Sequence, residues 1–464
     1  MEQVIKNNIQ NADVKLSYKE KVSYGSGEVG INLLFTAMGA FLLFYYTDVA
    51  GVSAAAVGSI MLISKIFDGI ADIAMGFITD RTQSKYGKAR PWLLRMAIPY
   101  GIAGILLFTV PEVGEIGKLV YIFLTYNTFC IIYTAAVIPY YSLSSLVTQN
   151  QKERENIGFI RSIMTTIGSL AINAGTLPLV NAFGGGKIAW TITFVIFGAI
   201  SAALFILAFV NTKERVGNDG IDHDANNSKK EKRDMKDEIK YLFKNKYWLI
   251  LTGNGFCSNM VMALSMGVTV YFAQYILKNP GAVGILALCN MIPMFICIPL
   301  GYPLVRKFGK RNMLIAGLVL MVVGYAIMFL GAANLTIVVA GVIIKAIGTA
   351  TQWTQGPMLA DTVEYGEWKN GIRQEGLIFS AQSFGTKIGS GLGTGLIGWV
   401  LGITGYIGGA QVQSAPALLG INALFIIIPV VITVIEIIMM ALYKLDSEYS
   451  NVLEKLNSRK ILNH

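Results

Sequence analysis

The chain has 464 residues, of which 54% are hydrophobic and only 14% charged, against about 25% charged in ordinary soluble proteins. Its net charge of +10 does not mark a nucleic-acid-binding domain, because the basic residues lie between apolar runs and not on one folded basic face. Lipid is the solvent this composition suits, and a stretch such as Ile188 to Val210 supplies the roughly 20 apolar residues that a bilayer-crossing helix needs.

In chain order, Met1 to Lys21 is polar and has no apolar centre, so no cleavable signal peptide is expected and the first membrane helix directs insertion. Apolar runs bounded by turn signals then predict twelve membrane helices near 29–47, 54–79, 92–111, 117–147, 156–182, 188–211, 246–276, 281–305, 312–333, 335–366, 374–403 and 415–443. Several are long enough to tilt or project beyond the bilayer. The chain is thereby divided into an N-terminal segment 1–28, a six-helix bundle 29–211, a linker 212–245, a second bundle 246–443 and a tail 444–464. That tail is too short for an appended phosphotransfer domain.

The linker carries Lys213, Arg215, Lys229, Lys230, Lys232, Arg233, Lys236, Lys240 and Lys244, whereas the outer loops offer little beyond Lys118, Lys187 and Lys278. The positive-inside rule therefore places both termini in the cytoplasm of a cell-membrane protein, although a basic loop alone could be a plain anchoring feature. The halves echo each other. Gly76 to Arg81, then Lys85, Gly87, Lys88 and Arg90, is matched by Gly301 to Arg306, then Lys307, Gly309, Lys310 and Arg311. Two six-helix halves joined by a central loop point to an all-α integral membrane protein of major facilitator architecture, with substrate held near the bilayer midplane.

An ionisable side chain inside the bilayer costs at least about 2.5 kcal/mol and needs a reason to be there. In the second span, Asp68 and Asp72 lie one helical turn apart on one face, with Lys65 in the same sector. Two carboxylates and one ammonium leave a negative pocket that a sodium ion, a lithium ion or a proton would complete. The plainer reading is that Lys65 only neutralises Asp68 while Asp72 sits near water. Thr134 of the fourth span offers a hydroxyl, though threonine more commonly bonds its own helix carbonyl.

Further charges at membrane depth are Arg161, Lys345, Asp361 and Lys387. Arginine grips planar anions or sugar hydroxyls and lysine acts as a point charge; Lys345 could be a simple salt-bridge partner. Aromatic faces cover sugar C–H faces but also form membrane belts and packing. Among Tyr45, Tyr46, Tyr126, Tyr140, Tyr141 and Trp353, weight falls on Tyr141 and Trp353, which adjoin Ser142, Thr354 and Gln355. Cys130, Cys257, Cys289 and Cys297 lack the spacing of a zinc or redox motif and read as small buried residues.

Several stretches in the right order resemble the glycoside–pentoside–hexuronide:cation symporters of the major facilitator superfamily. They are Tyr45-Tyr46-Thr47-Asp48-Val49, Phe67-Asp68-Gly69-Ile70-Ala71-Asp72, Tyr86-Gly87-Lys88-Ala89-Arg90-Pro91-Trp92, Ala360-Asp361-Thr362-Val363-Glu364-Tyr365-Gly366-Glu367 and Gly371-Ile372-Arg373-Gln374-Glu375-Gly376. The resemblance spans nearly the whole chain. It implies symport of a glycoside with Na+, Li+ or H+ by alternating access, with cation contacts from Asp68, Asp72, Thr134 and Lys387. The two aspartates that hold galactoside hydroxyls in the melibiose permease branch are replaced here by Asn32 and Val137, so a galactoside is not expected. Tyr141 and Arg161 match sugar-site positions, and the pattern is closer to the glucuronide carrier. With those carboxylates gone and Arg161 kept, a hexuronide is favoured, while a neutral pentoside could use Asn32. Where the melibiose permease branch has an asparagine between the aspartates, this chain has Ala71, which tilts the ion toward a proton.

The candidate substrate residues are thus Asn32, Tyr141, Arg161, Trp353 and Gln355. The metal ligands, if the ion is Na+, are Asp68 and Asp72. No prosthetic cofactor, no enzymatic activity and a monomer are expected. A membrane-embedded transferase would need a catalytic constellation, and the two histidines, His223 and His464, provide none. A channel would want a ring of like residues from several subunits. Transport of an amphipathic lipid by the same architecture is the remaining alternative.

Overall fold

The computed structural model describes residues 15–82, 84–148, 150–215, 240–371 and 374–462. Linker residues Lys229, Lys230, Lys232, Arg233 and Lys236, the motif residues Ile372 and Arg373, and both histidines lie outside them. The chain divides into two compact units, Met1–Ala225 with Ile407–Gln411, and Asn226–Tyr406 with Val412–His464.

In the first unit, α1 covers Tyr18–Phe44 and ends in a π turn over Tyr45–Val49; α2 is Ala54–Arg81, α3 Arg90–Leu107, α4 Glu115–Val147, α5 Gln151–Ala182 and α6 Lys187–Asn211. In the second, α7 covers Lys246–Tyr271 and ends in a π turn over Phe272–Ile276. It is followed by α8 (Ala282–Phe308), α9 (Lys310–Leu330) and α10, which runs as Leu335–Thr349, a 3-10 turn Ala350–Thr354 and Gln355–Asn370. Then come α11 (Glu375–Ile403), α12 (Ala415–Asn422, a π turn Ala423–Ile427 and Ile428–Leu442) and α13 (Leu445–Leu462).

Caps written in the sequence start several of these helices. Side-chain oxygens of Ser17, Asn150, Asn245, Asn334 and Ser414 accept first-turn N–H groups of α1, α5, α7, α10 and α12, which have no partner within the helix. Nine of the described helices are long and apolar enough to cross a membrane, ten if the bent pair Ala282–Ile298 and Leu300–Phe308 counts as one span. The other two predicted spans, α3 and α11, are diluted by Arg90 and Arg95 in the first and by Lys387 and a run of glycines in the second.

The weak repeat read in the sequence is a repeat of packing. α1 packs on α5 and α6, α3 on α4 and α6, and α2 on α4; α7 packs on α11 and α12, α9 on α10 and α12, and α8 on α10. The paired motif glycines, Gly87 and Gly309, both have positive φ, +104° and +82°, a region that glycine enters without cost.

Beyond each glycine an acid from the segment that follows the unit's sixth helix caps the next helix. Glu214 accepts from the backbone N–H groups of Lys88, Ala89 and Arg90 at 2.8, 2.8 and 2.7 Å. Asp446 accepts from Arg311 N at 2.8 Å. The motif arginines complete the clasp, Arg90 donating to the Phe209 carbonyl and Arg311 to those of Met440 and Ala441. Anionic caps at helix N-termini are worth about 1 kcal/mol each. Glu214→Ala and Asp446→Ala should each lower the thermal unfolding midpoint of the detergent-purified protein, and an unchanged midpoint in both would remove the clasp from the account.

One boundary differs from the sequence reading. The first helix begins at Tyr18, not near 29, and Glu20, Ser23, Tyr24, Ser26 and Glu28 are buried on it. Glu20 receives both guanidinium nitrogens Nη1 and Nη2 of Arg215 at 2.7 and 2.9 Å, so the start of the linker folds back on the first unit. The tail is helical over Leu445–Leu462, and its Leu445, Val452 and Leu456 are buried. The four cysteines are free, Cys130 and Cys257 buried, Cys289 and Cys297 half-buried. Tyr45, Tyr46, Tyr126 and Tyr140 are buried packing residues; Tyr45 joins Phe108, Trp190 and Phe194 in one aromatic cluster. In the loop after α3, Lys187 and Lys118 hold the Glu112 carboxyl below its usual range.

Candidate functional site

The packing of α2 on α4 brings three of the four predicted cation residues, Asp68, Asp72 and Thr134, together. Ser64 accepts from Asn127 Nδ2 at 2.9 Å and fixes the register of the two helices one turn before Asp68. Asp68 is buried and Asp72 half-buried. The Thr134 hydroxyl lies 2.9 Å from Asp72 Oδ1 and 3.4 Å from Asp68 Oδ1, and Lys65 Nζ is 3.4 Å from Asp68 Oδ2. Thr134 therefore turns to the carboxylates and away from its own helix carbonyl. A hydroxyl has one hydrogen to donate but also offers its oxygen, so the same three groups present oxygens to a small cation or receive a proton on a carboxylate.

A second cluster in the first unit gathers Asn32 of α1, Tyr141 of α4 and Arg161 of α5 around a residue the sequence reading passed over, Glu28. Asn32 Nδ2 donates to Glu28 Oε1 at 3.1 Å and to the Glu28 carbonyl at 2.9 Å. The Tyr141 hydroxyl donates to Oε1 at 3.4 Å, and Arg161 Nε is 4.0 Å from Oε2. The guanidinium carbon stands 4.8 Å from the centre of the Tyr141 ring, a cation–π arrangement. Below them Tyr24 and Tyr140 stack at 4.8 Å and exchange hydroxyl-to-carbonyl bonds of 3.1 and 2.7 Å. Gly27 leaves room for this floor, since a Cβ there would come within 2.6 Å of the Tyr140 ring.

Glu28 changes the electrostatics. The sequence leads one to expect Arg161 in a cavity stripped of carboxylates; instead it faces a buried one. Glu28 is 5% exposed and Arg161 37%, so the acid is fixed while the guanidinium end remains reachable. The available signal is spacing: Glu28 precedes Asn32 by one turn with no proline between them.

The other sequence-derived candidates belong to the second unit. Gln355 Nε2 donates to Ser258 Oγ of α7 at 3.2 Å. Trp353, in the 3-10 turn that interrupts α10, packs against Gly301 of α8, its Nε1 3.5 Å from where a Cβ would sit. Lys387 lies on α11, and its assignment to the cation stands on the resemblance. Lys345 is not a salt-bridge partner among the described residues; its Nζ lies 5.7 Å from the Tyr325 ring centre. Asp361 instead pairs with Lys310 of the repeated motif.

The chain is 32% identical over 449 residues to the isoprimeverose transporter of Lactiplantibacillus pentosus, covering 95% of this chain and 92% of that protein. It is 31% identical over 461 residues to the glucuronide carrier protein homolog of Escherichia coli (strain K12), covering 96% and 97%. Its fold is similar to the crystal structure of the nucleoside transporter NupG, with a TM-score of 0.60 at 16% identity, over 92% of this chain and 100% of that one. A family model described as MFS/sugar transport protein matches residues 23–447, nearly all of both units, and the chain belongs to that family of membrane transporters.

Proposed function

We propose that the chain imports a glycoside by symport with a cation, through alternating access of its two units, in a cell membrane with both termini cytoplasmic. The observation that carries this reading is the pair of intramembrane aspartates bridged by the Thr134 hydroxyl. Carboxylates at this depth cost free energy unless they serve a ligand or a charge relay. The Asp68–Asp72–Thr134 group holds the coupling ion, and Ala71 contributes no further oxygen ligand, which favours a proton over Na+.

Glu28, Asn32, Tyr141 and Arg161 form the sugar-facing surface of the first unit. Hydroxyl groups are donors and acceptors at once, and a carboxylate, an amide and a guanidinium side by side match that dual character. Because Glu28 opposes Arg161, a neutral pentose-containing glycoside suits this surface better than a hexuronide, whose carboxylate would approach Glu28. Trp353 and Gln355 are the candidate sugar contacts of the second unit.

Uptake into proteoliposomes, measured for neutral xylosides and for glucuronides under separate Na+ and pH gradients, tests the reading. Neutral xylosides should accumulate at least about tenfold better than glucuronides, the effect expected of one unfavourable charge contact. Accumulation of glucuronides alone would overturn the substrate assignment, and uptake indifferent to both gradients would overturn symport.

A further inference from the structure

α12 belongs to the most apolar of the candidate membrane spans, yet it buries a carboxyl. Glu436 has no exposed surface, and among the described residues no lysine or arginine lies within 4.0 Å of it. Ser258 of α7 donates a short hydrogen bond to Oε1, and Gln355 of α10 donates to the Ser258 oxygen at 3.2 Å. Oε2 is buried without a hydrogen-bond partner. The helices packed against this part of α12 are α7 and α9. The titratable groups facing Glu436 from them are Cys257 and Tyr325; α12 carries no other charged side chain over Ile428–Leu442.

An ionised carboxylate held away from water with no cation beside it costs several kcal/mol, and the neutral acid avoids that cost. One oxygen is already committed as an acceptor, so the hydrogen belongs on the other. One turn before Ser258, on the same stripe of α7, Asn254 is fully buried with both amide groups unpaired. The neighbourhood thus holds unused donors and acceptors of the kind that bind water. A π turn interrupts α12 at Ala423–Ile427, a local widening often found beside functional residues.

We propose that Glu436 is a proton-binding site of the second unit, separate from the Asp68–Asp72 pair. A proton from water adds to Oε2 to give the neutral acid, Ser258 holding Oε1, and returns to water when the site is next hydrated. No other bond forms or breaks. The proposal rests on the cation-symport reading only in assigning this proton to the transport cycle, and it holds whether the aspartate pair takes Na+ or H+.

Infrared difference spectroscopy of the full chain in lipid, titrated with acid and base, tests it. The wild type should show a protonated-carboxyl C=O band that is reversibly lost as pH is raised and that is missing in Glu436→Gln. In Ser258→Ala the band should remain but move in frequency, because the carbonyl oxygen has lost its donor. This second variant keeps the test open if Glu436→Gln folds poorly. Uptake driven by a pH gradient should fall about tenfold in Glu436→Gln, a coupling of ordinary size. A band unchanged in Glu436→Gln, absent at every pH, or indifferent to pH would overturn the proposal, as would undiminished uptake. Asp68→Asn should leave the Glu436 band in place, so loss of symport and loss of this site are read separately.

Discussion

Asp68→Asn and Asp72→Asn will each reduce cation-driven accumulation by about a hundredfold or more, since breaking a buried charged arrangement costs about 3 kcal/mol or more. The amide keeps the side-chain shape but neither takes up a proton nor carries the negative charge that attracts a cation. The two variants should differ in stability. Asn at 68 leaves Lys65 without the carboxylate now 3.4 Å away, whereas Asn at 72 keeps an oxygen for the Thr134 hydroxyl, now 2.9 Å from Oδ1. Asp68→Asn should therefore show the lower thermal midpoint. Proteoliposome uptake, normalised to inserted protein, is the measurement; wild-type accumulation in either variant would sink the coupling role.

The second large effect is expected at Glu28 and Arg161. Glu28→Gln leaves the guanidinium opposite a neutral amide, and Arg161→Met leaves a 5%-exposed carboxylate with neutral donors such as Asn32 and Tyr141 but no cation beside it. The pair is an ion contact at 4.0 Å, and removing one partner strands the other charge, so substrate affinity in each single variant should fall by thirtyfold or more, on the order of 2 kcal/mol. The double variant should lose less than the sum, because neither charge is then stranded. Isothermal titration of the purified proteins gives all four corners of this cycle, and strictly additive losses would show that the two side chains act independently.

What the sequence made legible followed from local spacing. Asp68 and Asp72 are one turn apart on a single helix, so their shared face could be read without any tertiary information, and the cost of charge in lipid supplied the reason to look. Thr134 was weaker, because its hydroxyl has an equally good partner in its own helix until α4 is known to lie on α2. Glu28 was lost for a physical reason. Residues 18–28 are too polar to read as lipid-exposed helix, yet Ser23, Tyr24, Ser26 and Glu28 face their own protein, so lipid does not select their polarity.

The clasps of Glu214 and Asp446 could not be read for a different reason. Each joins residues more than a hundred positions apart in sequence, and only the packing of α3 on α6 and of α9 on α12 brings them together. Glu436 was within reach, as a single acid in a long apolar run, and the charge-cost argument that found Asp68 applies equally to it. Its partners were not: Ser258 and Gln355 come from two other helices. For Lys345 the sequence leaves a salt bridge open, and among the described residues the neighbour of its ammonium is the Tyr325 ring.

The central claim is that Asp68, Asp72 and Thr134 bind the ion that drives transport. Linkage gives its most direct test, because an ion that strengthens substrate binding must do so through the site that holds it. Substrate affinity of the purified wild-type protein, measured across a series of pH values and Na+ concentrations, should depend on one of these ions by about tenfold, and the dependence should vanish in Asp72→Asn. An affinity in Asp72→Asn that follows pH or Na+ as steeply as the wild type would contradict the account.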